Sequence, residues 1–164
     1  MKKFLFLVAF LATVATTYAQ SGDLSILGNL GYQTNYERFA LGGQMRYNIT
    51  EHFRLAPDVT FFFPKDKVTG LDVNLNLHYL FPLNSDNRLT FYPLAGFGMQ
   101  NNFWGKRTIA GVEVDSDSKT NIAFNLGAGL TYNISARSFL NVEGKFMFGD
   151  DDSAVFLVGY GWRF

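Results

Sequence analysis

GLDVNLNLHYLF, residues 70–81, alternates without interruption. Leu71, Val73, Leu75, Leu77, Tyr79 and Phe81 share one face of an extended chain, and Asp72, Asn74, Asn76 and His78 share the other. Period-two alternation of this length specifies a strand with one apolar and one polar face. The preceding stretch, FRLAPDVTFFF at residues 53–63, repeats the pattern. It sets Phe53, Leu55, Pro57, Val59, Phe61 and Phe63 against Arg54, Asp58 and Thr60.

Eight such runs cover the chain, near residues 24–33, 38–48, 53–63, 70–81, 88–100, 120–133, 138–148 and 154–164. Most are about ten residues, the length a tilted strand needs to cross a bilayer. Across all eight, the apolar phase holds Leu, Ile, Val, Phe, Met, Tyr, Trp, Ala, Gly and two prolines, with no charge and no carboxamide. No convincing helical stripe competes with it. The high aromatic content, 17%, with 16 glycines and 4 prolines, suits strands as well.

The connections differ in kind. Residues 48–52, 82–87 and 133–137 are tight links rich in Asn, Ser and Thr, and two of them echo each other as YNIT and YNIS. Both read formally as glycosylation sequons, but Asn in a tight backbone geometry explains them as turns. The longest link, 101–119, carries Lys106, Arg107, Glu113, Asp115 and Asp117 and reads as a mobile, water-exposed loop.

The N-terminus, MKKFLFLVAFLATVATTYAQ, has two lysines, an apolar run at residues 4–14 and small residues leading to Ala19. That is the pattern of a signal peptide spanning 1–19, cut before Gln20. The apolar run is short for a membrane anchor. Residues 20–164 then form one exported domain. Losing Lys2 and Lys3 takes the 14 basic residues to 12, against 14 acidic ones, which gives no electrostatic case for nucleic acid. There are no cysteines, so no disulfide holds the domain together.

Alternation alone does not say which face points in. A lipocalin-like barrel would turn the apolar face inward around a ligand, and a membrane barrel would turn it toward lipid. Tyr47, Tyr79, Tyr132 and Trp162 all lie on the apolar face near the C-terminal ends of alternate strands, which forms a ring at one level, as a bilayer interface favours. The polar face mixes Gly42, Gly96, Gly98, Gly127, Gly129, Gly159 and Gly161 with Arg46, Arg54, Asp58, Asp72, Glu143, Lys145 and Arg163. A narrow lumen needs that mixture, because long side chains on one wall require small ones opposite. An open sheet would expose unpaired edges to lipid. The expected fold is therefore all-β: a closed, eight-stranded, antiparallel, up-and-down transmembrane β-barrel.

From Gln20 to the terminal GYGWRF, the chain resembles the small outer-membrane β-barrels of the OmpA/OmpX type. The resemblance implies a Gram-negative-type outer membrane, periplasmic termini, and lipid and lipopolysaccharide as surroundings. It also implies that Val158, Tyr160, Trp162 and Phe164 form a signal for the outer-membrane assembly machinery. Many larger relatives carry a peptidoglycan-binding domain after the barrel. With no such segment after Phe164, no peptidoglycan anchor is expected.

No catalytic residue, metal site or cofactor is expected. His52 falls in a turn, and His78 faces the lumen as a hydrogen-bonded filler within reach of Asp58 or Asn76. GDDDS, at 149–153, lacks the spaced ligands of a calcium loop and reads as a solvated tip, with weak bridging of divalent ions as the other reading. The expected lumen network comprises Arg46, Arg54, Asp58, Asp72, Asn74, Asn76, His78, Glu143, Lys145 and Arg163. Three functions fit: a plugged, monomeric barrel with a structural or surface-interaction role, a narrow pore, or a lipid-modifying enzyme. The first requires no special residue and is the expectation. The extracellular partner is not legible from the loops.

Overall fold

The computed structural model describes residues 23–65, 68–86, 88–104, 107–109, 112–114, 117–150 and 152–164. The signal peptide expected at 1–19 lies outside the described residues, as do Lys106, Asp115 and Asp151. In chain order the strands are β1 (Leu24–Gln33), β2 (Arg38–Asn48), β3 (Phe53–Lys65), β4 (Val68–Tyr79), β5 (Phe81–Pro82) and β6 (Leu89–Trp104). They continue with β7 (Arg107–Ile109), β8 (Val112–Val114), β9 (Asp117–Asn133), β10 (Ser138–Phe148) and β11 (Ser153–Arg163).

Backbone amides facing lipid have no water to bond, so every strand edge must find a partner. Each long strand pairs antiparallel with the next, and β1 pairs with β11, Gly28 opposite Tyr160 and Leu30 opposite Val158. The sheet is an eight-stranded, closed, up-and-down barrel; β5 adds two rungs beside β6, and β7 and β8 form a small hairpin. Pairing between β2 and β3 lapses between the Gln44–Asp58 and Tyr47–Leu55 rungs, opposite Pro57, which has no N–H to donate.

The strands are staggered. Paired neighbours lead from Leu24 through Tyr47, Leu55, Leu77, Ala95, Leu126 and Phe146 to Ala154, whose carbonyl accepts the Thr34 N–H. One circuit of eight strands thus returns to the first strand ten residues on, from 24 to 34. Stagger of this kind goes with strands tilted by roughly 40° and an interior just wide enough for side chains.

The faces separate cleanly. Leu75 is 53% exposed while Asn74 and Asn76 on either side are 2% and 0% exposed. The exposed phase is apolar in every long strand, from Ile26 and Leu30 on β1 to Phe156, Val158 and Tyr160 on β11. The buried phase carries Arg38, Arg46, Arg54, Asp58, Asp72, Glu143 and Lys145.

One end of the barrel holds the first and last described residues, Asp23 and Phe164, and three connections. Two of these, the YNIT and YNIS turns, have the same hydrogen bonds. Ile49 and Thr50 N–H donate to the Phe53 carbonyl, and Ile134 and Ser135 N–H donate to that of Ser138. In each turn a hydroxyl, Thr50 Oγ1 or Ser135 Oγ, accepts the N–H groups two and three residues on. The sequence echo is thus a repeated turn structure.

The opposite end departs from expectation at residues 101–119. β6 and β9 continue as a paired ribbon through Asn101–Thr120 and Asn102–Lys119 to Trp104–Asp117. The polar residues here suggested a loop, yet the ribbon extends the wall: β4 pairs with β6 as far as Val68–Trp104, and Asn102 is buried inside, where Arg38 donates to it.

Candidate functional site

The interior follows from one packing rule: a large inward side chain sits opposite a glycine on the next strand. Tyr92 faces Gly129, Phe139 faces Gly161, Asn74 faces Gly98 and Asn76 faces Gly96. A methyl group at Gly129 would overlap the Tyr92 phenol, and one at Gly161 would overlap the Phe139 ring. The glycines of the polar phase make room for their neighbours.

At mid-height, Asp58 from β3 meets Lys145 from β10 across the bore. The Lys145 Nζ lies 3.1 Å from Asp58 Oδ1 and 3.0 Å from Oδ2. Asn74 Nδ2 donates to Oδ1 and Asn76 Nδ2 to Oδ2, each at 2.8 Å. Asn125 Nδ2 then donates to the side-chain carbonyls of both Asn74 and Asn76 at 3.0 Å. Each carboxylate oxygen therefore has an ammonium and an amide donor, the condition under which a buried charge is tolerable.

Nearer the chain ends is a second cluster. Arg46 donates from Nε to Gln44 Oε1 at 2.5 Å, from Nη1 to Thr131 Oγ1 at 3.2 Å and from Nη2 to the Tyr92 hydroxyl at 3.0 Å. Its Nη2 lies 3.7 Å from Glu143 Oε2. The Tyr92 hydroxyl stands 2.8 Å from Glu143 Oε2 and 2.9 Å from Asn141 Oδ1, its single proton serving one of them. At this end Arg54 Nε donates to Asn48 Oδ1 at 2.8 Å, and Arg163 Nη2 donates to Asn133 Oδ1 at 3.1 Å.

A third cluster lies toward the opposite end. Arg38 donates from Nε and Nη2 to Gln33 Oε1 at 3.0 and 2.6 Å, and from Nη2 to Asn102 Oδ1 at 3.0 Å. Gln33 and Gln100 both donate to Ser153 Oγ at 3.3 Å. The interior is not polar throughout. Ala40, Phe62, Ala123, Met147, Val155 and Leu157 pack together as an apolar collar of buried inward side chains.

Of the residues singled out from sequence, Arg46, Arg54, Asp58, Asp72, Asn74, Asn76, His78, Glu143 and Lys145 are buried inside, and Arg163 is half-buried at the mouth. They do not all join one network. His78 is a correction: neither ring nitrogen has a hydrogen-bond partner, and the ring stacks on Tyr92 at 4.5 Å between centroids instead of sharing Asp58 or Asn76. The cause is register, which sets His78 beside Arg54 and two rungs from Asn76. Arg38, Tyr92, Asn125, Gln33 and Asn141 were not singled out, although each lies on the same phase as the residues that were.

On the outer face, Tyr47, Tyr79, Tyr132 and Trp162 all lie toward the end with the chain termini. Tyr79 contacts Phe53 and Phe81 at 5.1 and 4.6 Å between ring centroids. Val158, Tyr160 and Phe164 are also exposed outward. Among the described residues no group of three or more His, Cys, Asp or Glu side chains is placed to hold a metal ion.

A closed eight-stranded barrel with an apolar exterior and charged side chains inside is an outer-membrane β-barrel. Residues 4–164 match the model of the outer membrane protein beta-barrel domain, and the chain belongs to that family. Among solved structures it is similar to the N-terminal β-barrel domain of Pseudomonas aeruginosa OprF, at 21% identity and TM-score 0.69, covering 88% of this chain and 100% of that one. It is similar also to Ail, the attachment invasion locus protein of Yersinia pestis, at 17% identity and TM-score 0.63 with the same coverage. Neisserial surface protein A follows at 13% identity and TM-score 0.61, over 87% of this chain and 95% of that one. No curated protein matches the sequence.

Proposed function

We propose that this chain is a non-conducting, non-enzymatic barrel that acts as a structural or surface-interaction element of the outer membrane, its termini in the periplasm and its longer connections outside. The observation that supports the reading is the pair of residue groups that reach into the bore. The Asp58–Lys145 pair with its three asparagines spans the bore at mid-height, and Phe62, Met147 and Leu157 add buried apolar side chains. A charge pair so fully hydrogen-bonded resists hydration, and an apolar layer gives water nothing to bond. The pore and lipid-enzyme alternatives would need an open path or a nucleophile with a base. The buried histidine, stacked on Tyr92, has no hydroxyl partner.

In this reading, Tyr47, Tyr79, Tyr132 and Trp162 form an interfacial girdle, and Val158, Tyr160, Trp162 and Phe164 form the assembly signal. Lipid and lipopolysaccharide surround the wall, and the barrel is a monomer. Planar-bilayer recording on the purified, folded protein tests the plug. Silence is expected, and steady, reproducible conductance steps would promote the pore.

A further inference from the structure

Charge inside the barrel is not balanced tier by tier. At mid-height Lys145 and Asp58 cancel, and toward the far end Arg38 is attracted to Asp72. At the end with Asp23 and Phe164, Arg46, Arg54 and Arg163 face one buried carboxylate among the described residues, that of Glu143, which pairs with Arg46. Arg46 and Arg163 both repel Arg54, and Asp23, the carboxylate facing it, is exposed at the rim. Two guanidiniums are thus left without a buried counter-charge.

The donors there are also unsatisfied. Arg54 is 6% exposed, and its Nη1 is buried with no hydrogen-bond partner. His78, directly opposite Arg54 on the neighbouring strand, is 0% exposed, and both its ring nitrogens lack partners. Whichever nitrogen carries the proton offers another buried N–H. A buried donor left unmade costs about 1–3 kcal/mol, so one such group is notable and two on adjacent strands with surplus positive charge point to a missing acceptor. Guanidiniums match planar and tetrahedral oxyanions through paired N–H groups. Arg46 and Arg163 share the Phe139 ring, at 5.5 and 5.6 Å, which holds both cations near this mouth.

We propose that the terminus-side mouth of the barrel is a binding site for a small oxyanion, inorganic phosphate or a free carboxylate, held at Arg54 with Arg163 and His78 beside it. The Arg46–Glu143–Tyr92 cluster lies against it on the inner side, with His78 stacked on Tyr92. It does not depend on the plug farther along.

The test uses the folded protein in a phosphate-free maltoside detergent, with arginine side-chain N–H signals followed by NMR. Inorganic phosphate and acetate are titrated separately at constant ionic strength. The expected result is a saturable shift of the Arg54 and Arg163 Nε signals with at least one anion, with Arg38 unmoved, and a thermal midpoint that rises with anion concentration as one-site linkage requires. Arg54→Gln should abolish the Arg163 response. Absence of a saturable shift in the wild type with either anion would overturn the proposal without need of any variant. So would an Arg163 response that persists in Arg54→Gln, or equal, unsaturating shifts at all arginines. None of these outcomes bears on bilayer conductance, so the site and the plug fail separately.

Discussion

Asp58 and Lys145 stand 87 residues apart in the chain and meet in a two-pronged ion pair inside the barrel, with Nζ at 3.1 and 3.0 Å from the two carboxylate oxygens. The pair ties β3 to β10 across the bore, where no backbone ladder joins them. Removing one partner strands the other in a dry interior, which costs about 3–5 kcal/mol. Asp58→Asn and Lys145→Met should each destabilise on that scale, and the double variant should lose much less than their sum. Urea unfolding of the refolded barrel in vesicles measures all four corners of the cycle, and additive losses would mean the two groups are not coupled.

The outer face gives a second expectation. Leu75 lies near the middle of β4 and points outward, so Leu75→Arg places a cation in hydrocarbon at a cost of about 2–4 kcal/mol. Asn101 is on the same phase but nearer the far end of the wall, paired with Leu71 and Thr120, where its Nδ2 donates to the Leu71 carbonyl at 3.1 Å and its Oδ1 accepts from Thr120 at 2.7 Å. Asn101→Arg loses those two bonds at the far end of the wall, at about 1 kcal/mol. Equal losses in vesicle unfolding would reverse the assignment of the outward face.

Tyr92 and Gly129 supply a third. Gly129→Ala forces the phenol out of its place between Arg46, Glu143 and Asn141, and overpacking of this kind costs about 1–3 kcal/mol. A small inward residue at 92 removes the obstacle. Gly129→Ala should therefore be destabilising in the wild type and close to neutral in a Tyr92→Val background. A full penalty in both backgrounds would place the strain elsewhere.

Outside the membrane, Glu37 sits in the turn after β1 with φ at 48° and accepts a hydrogen bond from Lys65. That bond and the ammonium charge hold the Glu37 carboxyl below its usual value of 4.5. A depressed carboxylate contributes its interaction above its unfolded value and loses it as pH falls through the lower folded value. Side-chain NMR should show Glu37 titrating below 4.5 in the wild type and near 4.5 in Lys65→Gln. The group is fully exposed, so global stability should not follow it.

The architecture was legible because lipid imposes one rule on every strand. Within the eight runs the outward phase holds no charge and no carboxamide; Asn101 comes one residue after its run ends. The interior obeys a weaker rule, that its contents fit and pair, and sequence order says little about which groups meet. Lys145 finds Asp58 only through the stagger of the closed ring. Val155 and Leu157 were hidden for a different reason: AVFLV is apolar on both phases, so alternation cannot mark an inward collar there. Tyr92 escaped because it is aromatic, although Phe91 and Pro93 flank it on the outward phase.

Phe164 closes the set of expectations. Its N–H donates to the Leu24 carbonyl at 2.9 Å and its side chain is 73% exposed, so the ring buries little surface against the barrel itself. Deleting it removes one hydrogen bond at the seam between β1 and β11, a loss of about 1 kcal/mol in the folded state. The nine-rung β1–β11 ladder from Ser25–Arg163 to Gln33–Val155 remains intact. Refolding into detergent should therefore change little. If the alternating apolar end is read during assembly, insertion in cells should fall much further than in vitro stability does. Quantifying folded barrel in isolated outer membranes beside refolding yield separates the two. A deletion that unfolds the detergent-solubilised barrel yet leaves cellular assembly intact would make Phe164 a structural residue and remove it from the signal.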